Sequence, residues 1–267
     1  MPAGGAELRR SFAGPLAASI VARALGFEQA AVPEVLGSYR EIVAGVTAIT
    51  AGRGIPEAAQ QAFSALRARL EAMIHGAPRS SLLAAVAAAA ELTPEQITSN
   101  AAVLLFGGIE TTEGMIANAA LLLLQHPDQL ARVRAEPQLI DAAIEESLRL
   151  EPAAAVIDRY ATRGVELGGT TISAGDLVRV SITAANRDPA VFSDPDRFDL
   201  DRASARRHIA FAHGPHVCLG IHLARLEART ALAELLARFP HLRLDAERPS
   251  SVRGLVFRKP PTLHVLW

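Results

Sequence analysis

Apolar residues recur every three or four positions through most of the first 150 residues, a spacing typical of amphipathic helices. Gly26 and Gly52 follow the first two such segments, where a helix can end. The predicted helices cover residues 8–25, 32–51, 56–75, 82–90, 94–125 and 140–149. The first half of the chain is therefore expected to be almost entirely helical.

The segment 94–125 is longer than the others and apolar on nearly every side. Thr93-Pro94-Glu95-Gln96 places a capping Thr, a first-turn Pro and a Gln acceptor at its start. His126-Pro127 ends it, and another short helix begins at Pro127 or Asp128. Because a helix that is apolar all round is usually buried, we expect this one to run through the middle of the protein.

Beyond residue 152 the pattern changes to short strands and turns. Residues 165–182 predict a hairpin followed by a strand, with turns at Gly168-Gly169 and Ala174-Gly175-Asp176. The remaining predicted segments are a loop over 186–207, a last long helix over about 219–239 and a tail of short β-like pieces over 242–267. The chain is thus predicted to be mainly α with a small β part.

The composition limits the possible functions. Of the 267 residues, 50% are hydrophobic and 21% are charged, which excludes general disorder. The formal net charge of −1 gives no general reason to bind nucleic acid or an anionic membrane. The apolar stretch 12–27 is interrupted by Arg23 and has no charged leader, so neither a signal peptide nor a membrane span is expected. The protein is predicted to be cytoplasmic.

Cys218 is the only cysteine, which excludes an intramolecular disulfide. It lies in the segment Phe211-Ala-His-Gly-Pro-His-Val-Cys-Leu-Gly, where Gly214 and Pro215 force a turn and a helix follows the cysteine. Amide groups at a helix N-terminus stabilise a thiolate, so Cys218 is a candidate ligand for a metal or for haem iron. Gly220 would let a flat group approach the backbone closely. A small buried cysteine of the core is the alternative.

Histidines near Cys218 raise a second possibility, a zinc site. The four candidate ligands are His213, His216, Cys218 and His222. Their spacing differs from that of the usual closed zinc sites, and a zinc site would leave the rest of the chain unexplained.

The predicted long helix contains Phe106-Gly-Gly-Ile-Glu-Thr-Thr. Each glycine inside a helix costs about 1 kcal/mol relative to Ala, so something should need the space. Gly107 and Thr111 share one helix face, where a flat cofactor or substrate could touch the backbone beside a hydroxyl. Thr111 can also bond a carbonyl one turn back and open a groove for water or dioxygen, with Glu110 beside it. Close helix packing at Gly107 and Gly108 is the alternative.

Glu146 and Arg149 lie three residues apart on the predicted helix 140–149, close enough for an ion pair. Alone, such a pair is typical of many solvated surfaces. Together with the two motifs above, it gives three features in a fixed order along the chain.

These motifs resemble the C-terminal part of a bacterial cytochrome P-450, a haem-thiolate monooxygenase. The haem loop of that family reads Phe-x-x-Gly-x-(His or Arg)-x-Cys-x-Gly, and this chain fills every position. Residues 107–112 match the oxygen-activating helix, and Glu146-x-x-Arg149 matches the buried structural pair. Further matches are Asp158-Arg159, Asn186-Arg-Asp-Pro, Phe192-x-x-Pro195-x-x-Phe198 and Leu255-Val-Phe-Arg.

The resemblance implies a cytochrome P-450 fold with haem b, whose iron the Cys218 thiolate would hold. One atom of dioxygen would enter a small apolar organic substrate and the other would leave as water. Electrons would come from NAD(P)H through a ferredoxin reductase and a ferredoxin. Glu110 and Thr111 would deliver protons, and His216 and Arg159 would bind the haem propionates. The other haem contacts implied are Phe211, Gly214, Gly220 and Gly108.

The same analogy implies a substrate pocket and a partner surface. The pocket would be lined by Asn100, Val103, Gly107, Ala154, Val156 and Phe257. Arginines near the cysteine loop would attract an acidic ferredoxin, namely Arg202, Arg206, Arg207, Arg225 and Arg229. An ordinary solvated face is the alternative for this cluster.

Two departures from the family pattern are noted. Members of the family are considerably longer, so the chain is expected to be an N-terminally truncated cytochrome P-450. Within it, residues 1–92 would roof the pocket, 93–151 would carry the oxygen-activating and Glu-x-x-Arg helices, and 152–267 would carry the β part, the haem loop and the last helix. Leu263-His-Val replaces the usual Leu-Pro-Val. A catalytically silent haem-fold protein that binds a partner is the second functional hypothesis.

Overall fold

The helices follow the predicted segments closely. The computed structural model describes residues 4–50, 52–76, 78–89 and 91–267. The α-helices of these residues are α1 (Gly14–Leu25), α2 (Val32–Thr50), α3 (Glu57–Gly76), α4 (Leu82–Ala89), α5 (Pro94–Gln125), α6 (Pro127–Ala135), α7 (Ile140–Leu150), α8 (Ile182–Ala185) and α9 (Ile221–Arg238). Residues 9–13, predicted as helix, form a π-helical turn. Ala51 and Ala90, which end two predicted helices, lie outside the described residues.

The chain divides into two compact units, one of residues 10–113 and one of residues 4–9 together with 114–267. In the first unit, apolar residues of α1, α2, α3 and the first part of α5 form one core. Leu25, Val35, Leu70 and Leu105 are among its most buried members. Among the described residues, no helix has the length and hydropathy that a membrane span requires.

The start of α5 is the capping box that the sequence predicts. The Thr93 amide donates to Gln96 Oε1 over 2.8 Å, and the Gln96 amide donates to Thr93 Oγ1 over 3.2 Å. The second part of the helix, from residue 109 to 124, is almost entirely buried, whereas Val103 and Leu104 in the first part are exposed. The prediction of burial along the whole helix is therefore wrong for its first part.

The strands of the second unit form small antiparallel sheets. Their members are β1 (Gly5–Glu7), β2 (Val156–Tyr160), β3 (Val165–Leu167), β4 (Thr170–Ile172), β5 (Leu177–Ser181), β6 (Arg243–Leu244) and β7 (His264–Leu266). The order β1-β7-β6 makes one sheet, and β2-β5 and β3-β4 make two more. The predicted hairpin is confirmed, with φ of 56° and 77° at Gly168 and Gly169. The sequence did not predict β2.

Arg149 joins α7 to the long loop that precedes the cysteine segment. Its guanidinium donates twice to the Glu146 carboxylate, over 2.8 Å each. It also donates to the carbonyls of Asn186, Pro195 and Arg197, over 3.0, 2.6 and 3.1 Å. Both side chains of the Glu146–Arg149 pair are 0% exposed, so the expectation of a buried pair is confirmed.

Candidate active site

The loop that carries Cys218 is a sharp turn held by its own backbone. A 3-10 turn spans Gly214–His216, and Gly214 has a φ of 72°, which favours glycine. The Cys218 amide donates to the Phe211 carbonyl over 2.9 Å, and the Val217 amide donates to the Gly214 carbonyl over 3.0 Å. The Cys218 side chain is exposed, which contradicts the alternative of a buried core cysteine.

Apolar side chains next to Cys218 are also exposed. Its neighbours Val217 and Leu219 are 48% and 89% exposed, and Leu223 and Leu226 on the first turns of α9 are 42% and 58% exposed. Covering apolar surface is favourable by about 25 cal/mol per Å². One accessible thiol beside apolar side chains fits haem, a flat apolar group whose iron takes a single thiolate ligand.

The zinc alternative fails on geometry. In the part of the chain that the structure describes, no three His, Cys, Asp or Glu side chains come together where they could hold a metal ion. His213, His216 and His222 therefore do not form with Cys218 the donor set that a closed zinc site requires.

His216 and Arg159, the expected propionate ligands, are both exposed. Arg159 Nη1 donates to the carbonyl of Asp158 over 2.9 Å. The Asp158 carboxylate is bound instead by Arg179 of β5, over 2.7 and 2.9 Å, and this partner lowers the pKa of Asp158. Arg159 thus has no acidic partner among the described residues, and its guanidinium can bind an external carboxylate.

A charged network supports the cysteine loop from α7. The Arg225 guanidinium lies 4.9 Å from the Phe211 ring centroid and donates twice to the Glu145 carboxylate, over 2.6 and 2.9 Å. His208 Nδ1 accepts the Ala210 amide, which directs Nε2 towards Glu145 at 3.3 Å. Burial alone would raise the pKa of Glu145, but the interactions with His208 and Arg225 outweigh burial and hold the pKa at about 2.

The two glycines of α5 have different surroundings. If Gly107 were replaced by alanine, the added Cβ would have no neighbouring heavy atom within 4 Å outside the helix's own backbone. The Cβ of an alanine at position 108 would lie only 2.8 Å from Cγ2 of Val21 on α1. Gly108 is therefore required for the contact between α1 and α5. This observation supports the helix-packing alternative at Gly108, and the expected haem contact of Gly108 stays a prediction. Gly107 borders open space, as a residue beside a ligand would.

The acid and the alcohol that follow these glycines each have a partner within the first unit. Thr111 Oγ1 donates to the Gly107 carbonyl over 2.5 Å, the bond one turn back that the sequence predicts. Glu110 is 4% exposed, and its Oε2 accepts the hydroxyl of Tyr39 from α2. Tyr39 was not among the predicted site residues.

The expected substrate-pocket residues form one group in each unit. Asn100, Val103 and Gly107 lie three and four residues apart on α5, so they share a helix face, and Val103 is 69% exposed. In the second unit, Ala154 and Phe257 form a β-bridge, and Val156 follows two residues after Ala154. Each group is contiguous within its own unit.

The predicted cluster of arginines divides into paired and unpaired members. Arg202 is only 5% exposed and donates to Glu146 over 2.9 Å, so it belongs to the interior network and not to a partner surface. Arg225 is bound to Glu145, and Arg229 lies 3.5 Å from Asp141. Arg206 and Arg207 are exposed and have no ion-pair partner among the described residues.

Sequence reasoning missed three residues around these motifs: Tyr39, Glu145 and His208. Glu145 directly precedes the Glu-x-x-Arg pair, and two consecutive acids on an amphipathic helix were the available signal. Nothing in the sequence connects Tyr39 with Glu110, since 71 residues separate them.

A family model described as Cytochrome P450 matches residues 57–267. The chain is 39% identical to cytochrome P450 monooxygenase PikC of Streptomyces venezuelae over 250 residues, which are 91% of this chain and 59% of that protein. It is 46% identical to cytochrome P450 105C1 of Streptomyces sp over 193 residues, which are 70% of this chain and 50% of that protein. The chain thus spans about half of the length of these curated relatives.

Solved structures confirm the predicted fold class. The ligand-free structure of cytochrome P450 TbtJ1 matches with a TM-score of 0.89 and 33% identity, covering 99% of this chain and 72% of that one. The chain belongs to the cytochrome P450 family.

Proposed function

We propose that this protein is a haem-thiolate monooxygenase that inserts one oxygen atom from dioxygen into a small apolar organic substrate. The observation that carries the proposal is the exposed thiol of Cys218, the only cysteine, in a glycine-bounded turn before α9. The fit of this loop to the family motif supports it. The proposed activity is that of the protein with haem bound.

Cys218 would hold the haem iron, and His216 and Arg159 would bind the propionates. Phe211, Gly214 and Gly220 would shape the loop against the macrocycle. When bound, haem would catalyse a reaction in which dioxygen takes up two electrons and two protons, one oxygen atom enters the substrate and the other leaves as water. Exposed Leu219 would exclude water from the thiolate side.

Glu110 and Thr111 would hold and move the protons of this reaction. The Thr111 hydroxyl, whose own proton is donated to the Gly107 carbonyl, can accept a further hydrogen bond at its oxygen. The Glu110 carboxyl is the nearest acid along α5 and is shielded from bulk water. Proton transfer through positioned groups keeps dioxygen reduction coupled to substrate oxidation.

The substrate and the electron donor are the finer parts of the proposal. The exposed apolar surface at Val103 and the open space at Gly107 suit a small apolar molecule. Electrons from NAD(P)H would arrive through a ferredoxin, whose acidic surface would meet Arg206 and Arg207. Changing both arginines to Glu should raise KM for ferredoxin and weaken its salt dependence, while Arg163→Glu, an exposed arginine on another loop, should change neither.

The first test is the carbon monoxide spectrum of the reduced protein. Thiolate ligation produces a strongly red-shifted Soret band, and Cys218→Ser should lose it. His213→Ala is the matched control in the same loop and should keep the band. A folded, haem-loaded protein with an unshifted band would exclude thiolate ligation. A shifted band without turnover in the presence of NAD(P)H, reductase and ferredoxin would favour the catalytically silent hypothesis.

The second test concerns coupling. Thr111→Ala should retain haem and divert reducing equivalents into hydrogen peroxide, because protons would no longer arrive in order. Thr98→Ala is the control, since Thr98 makes the same type of bond, over 2.9 Å to the Pro94 carbonyl, on the same helix. Equal coupling in the parent and in Thr111→Ala would remove Thr111 from the mechanism.

A further inference from the structure

Tyr39 lies on the buried face of α2, on which Val32, Val35 and Leu36 precede it at helical spacing. It is 5% exposed, and its ring centroid is 6.1 Å from that of Phe106, which lies one turn before Glu110 on α5. Its hydroxyl donates to Oε2 of Glu110. A phenol held by core packing therefore meets a carboxylate that is itself buried.

The contact is strong because of where it lies. A hydrogen bond from a neutral donor to a carboxylate is shorter and stronger than one between neutral groups, and its strength rises in the low dielectric of a core. Glu has three rotatable side-chain bonds, so a fixed donor at Oε2 limits the positions that the carboxylate can adopt. The Tyr39 ring is itself held in place, because it packs against Phe106 and the core residues of α2. Its hydroxyl is therefore a donor at a fixed position.

We propose that Tyr39 is a positioning residue that fixes the carboxylate of Glu110 for proton transfer beside Thr111. The inference rests on the proposed function, in which Glu110 moves a proton. Tyr39 keeps its own proton throughout and contacts no reacting atom. Its role is to set the orientation of Glu110, just as the Gly107 carbonyl sets the orientation of the Thr111 hydroxyl.

A spectroscopic test needs no turnover. The infrared band of the Glu110 carboxyl group is identified as the band that Glu110→Gln removes. Tyr39→Phe retains the ring and its packing but removes the hydroxyl, so the band should shift. Tyr160→Phe changes the other tyrosine of the chain, which is 71% exposed, and should leave the band in place. A band that stays at the parent position in Tyr39→Phe overturns the proposal.

A turnover test measures the consequence. Tyr39→Phe should raise the peroxide formed per NAD(P)H several-fold at an unchanged KM for substrate. In a Glu110→Gln background the same change should add nothing, because Tyr39 acts only through Glu110. Tyr39→Met, which also fills the core without a hydroxyl, should reproduce the effect, so the proposal remains testable if Tyr39→Phe folds poorly.

The failures of the two proposals are distinguishable. Normal coupling in Tyr39→Phe, or an equal added effect in the Glu110→Gln background, overturns the positioning role while the monooxygenase function stands. A haem-loaded parent that consumes no NAD(P)H overturns the function, and the infrared comparison then decides alone whether Tyr39 fixes Glu110.

Discussion

Replacing Arg149 by Met tests whether the buried network of α7 is structural. Met fills a similar volume but donates no hydrogen bonds. The five N–H groups of Arg149 make five bonds, two to Glu146 and one each to the carbonyls of Asn186, Pro195 and Arg197. The variant therefore removes both the charge partner of Glu146 and the donors of three loop carbonyls.

The magnitude follows from what remains. Removing one partner of a buried ion pair costs about 3–5 kcal/mol. Glu146 keeps the Arg202 guanidinium at 2.9 Å and the Asp199 amide at 3.2 Å, which favours the lower end. The Arg197 carbonyl still accepts a hydrogen bond from Arg202 over 3.0 Å. The carbonyls of Asn186 and Pro195 lose the Arg149 donor, which costs about 1–3 kcal/mol each. With about 3 kcal/mol for the broken ion pair and two carbonyls left without this donor, we expect a total of about 5–9 kcal/mol.

The assay is thermal and urea unfolding. At about 2–4 °C per kcal/mol for a chain of this length, this loss corresponds to a fall in Tm of about 10–36 °C. Arg132→Met is the matched control, because Arg132 binds Asp201 bidentately at 2.9 and 2.7 Å on the exposed surface, and it should leave Tm nearly unchanged. Glu146→Gln combined with Arg149→Met removes both charges and should recover part of the loss. Equal melting of Arg149→Met and the parent would refute the reasoning.

Three further predictions concern single groups of the second unit. Because the Glu145 pKa of about 2 lies below its ordinary 4.5, its contribution to stability is present above about pH 4.5 and is lost as pH falls towards 2; the Tm difference between the parent and Glu145→Gln should shrink over that range. Burial raises the pKa of Glu227 to about 7, so between about pH 4.5 and 7 the folded state binds a proton that the unfolded state releases. The parent should therefore lose stability relative to Glu227→Gln as pH rises through this range. Parallel curves of Tm against pH for the two proteins would contradict this. Ala212 has a φ of 62°, so Ala212→Gly should stabilise the protein by about 0.5–1 kcal/mol in urea unfolding, whereas Ala190→Gly, without a positive φ, should destabilise it.

The sequence predicted what depends on local contacts. The α5 boundaries, the Thr93–Gln96 capping box and the Gly168-Gly169 turn all follow from residues within four positions of one another. The strand β2 was missed because it includes exposed, charged Asp158 and Arg159, and Asp is depleted in strands. What stabilises β2 is its register with β5, including the Asp158–Arg179 pair, and that register is a property of two distant segments.

The site residues show the same division. The motif located Cys218, Glu110 and Thr111, but it could not distinguish Gly107 from Gly108, since neighbouring positions on a helix face different directions. Only the presence of Val21 beside Gly108 assigns one glycine to helix packing and leaves open space at the other. Arg202 was likewise included in the arginine cluster that would attract a ferredoxin, yet Glu146 binds it in the interior.

The consecutive acids of α7 explain why this short helix matters to the cysteine loop. Neighbouring residues of a helix point about 100° apart, so Glu145 and Glu146 bind different partners. Glu146 binds Arg149 and Arg202 of the preceding loop, while Glu145 binds Arg225 of α9, whose guanidinium lies on the Phe211 ring. One rigid helix therefore fixes the chain both before and after Cys218. A change at either acid should displace the thiol without touching it, so haem retention is expected to fall in Glu145→Gln at about pH 7, where the parent carboxylate is ionised, and this difference should shrink as pH falls towards 2.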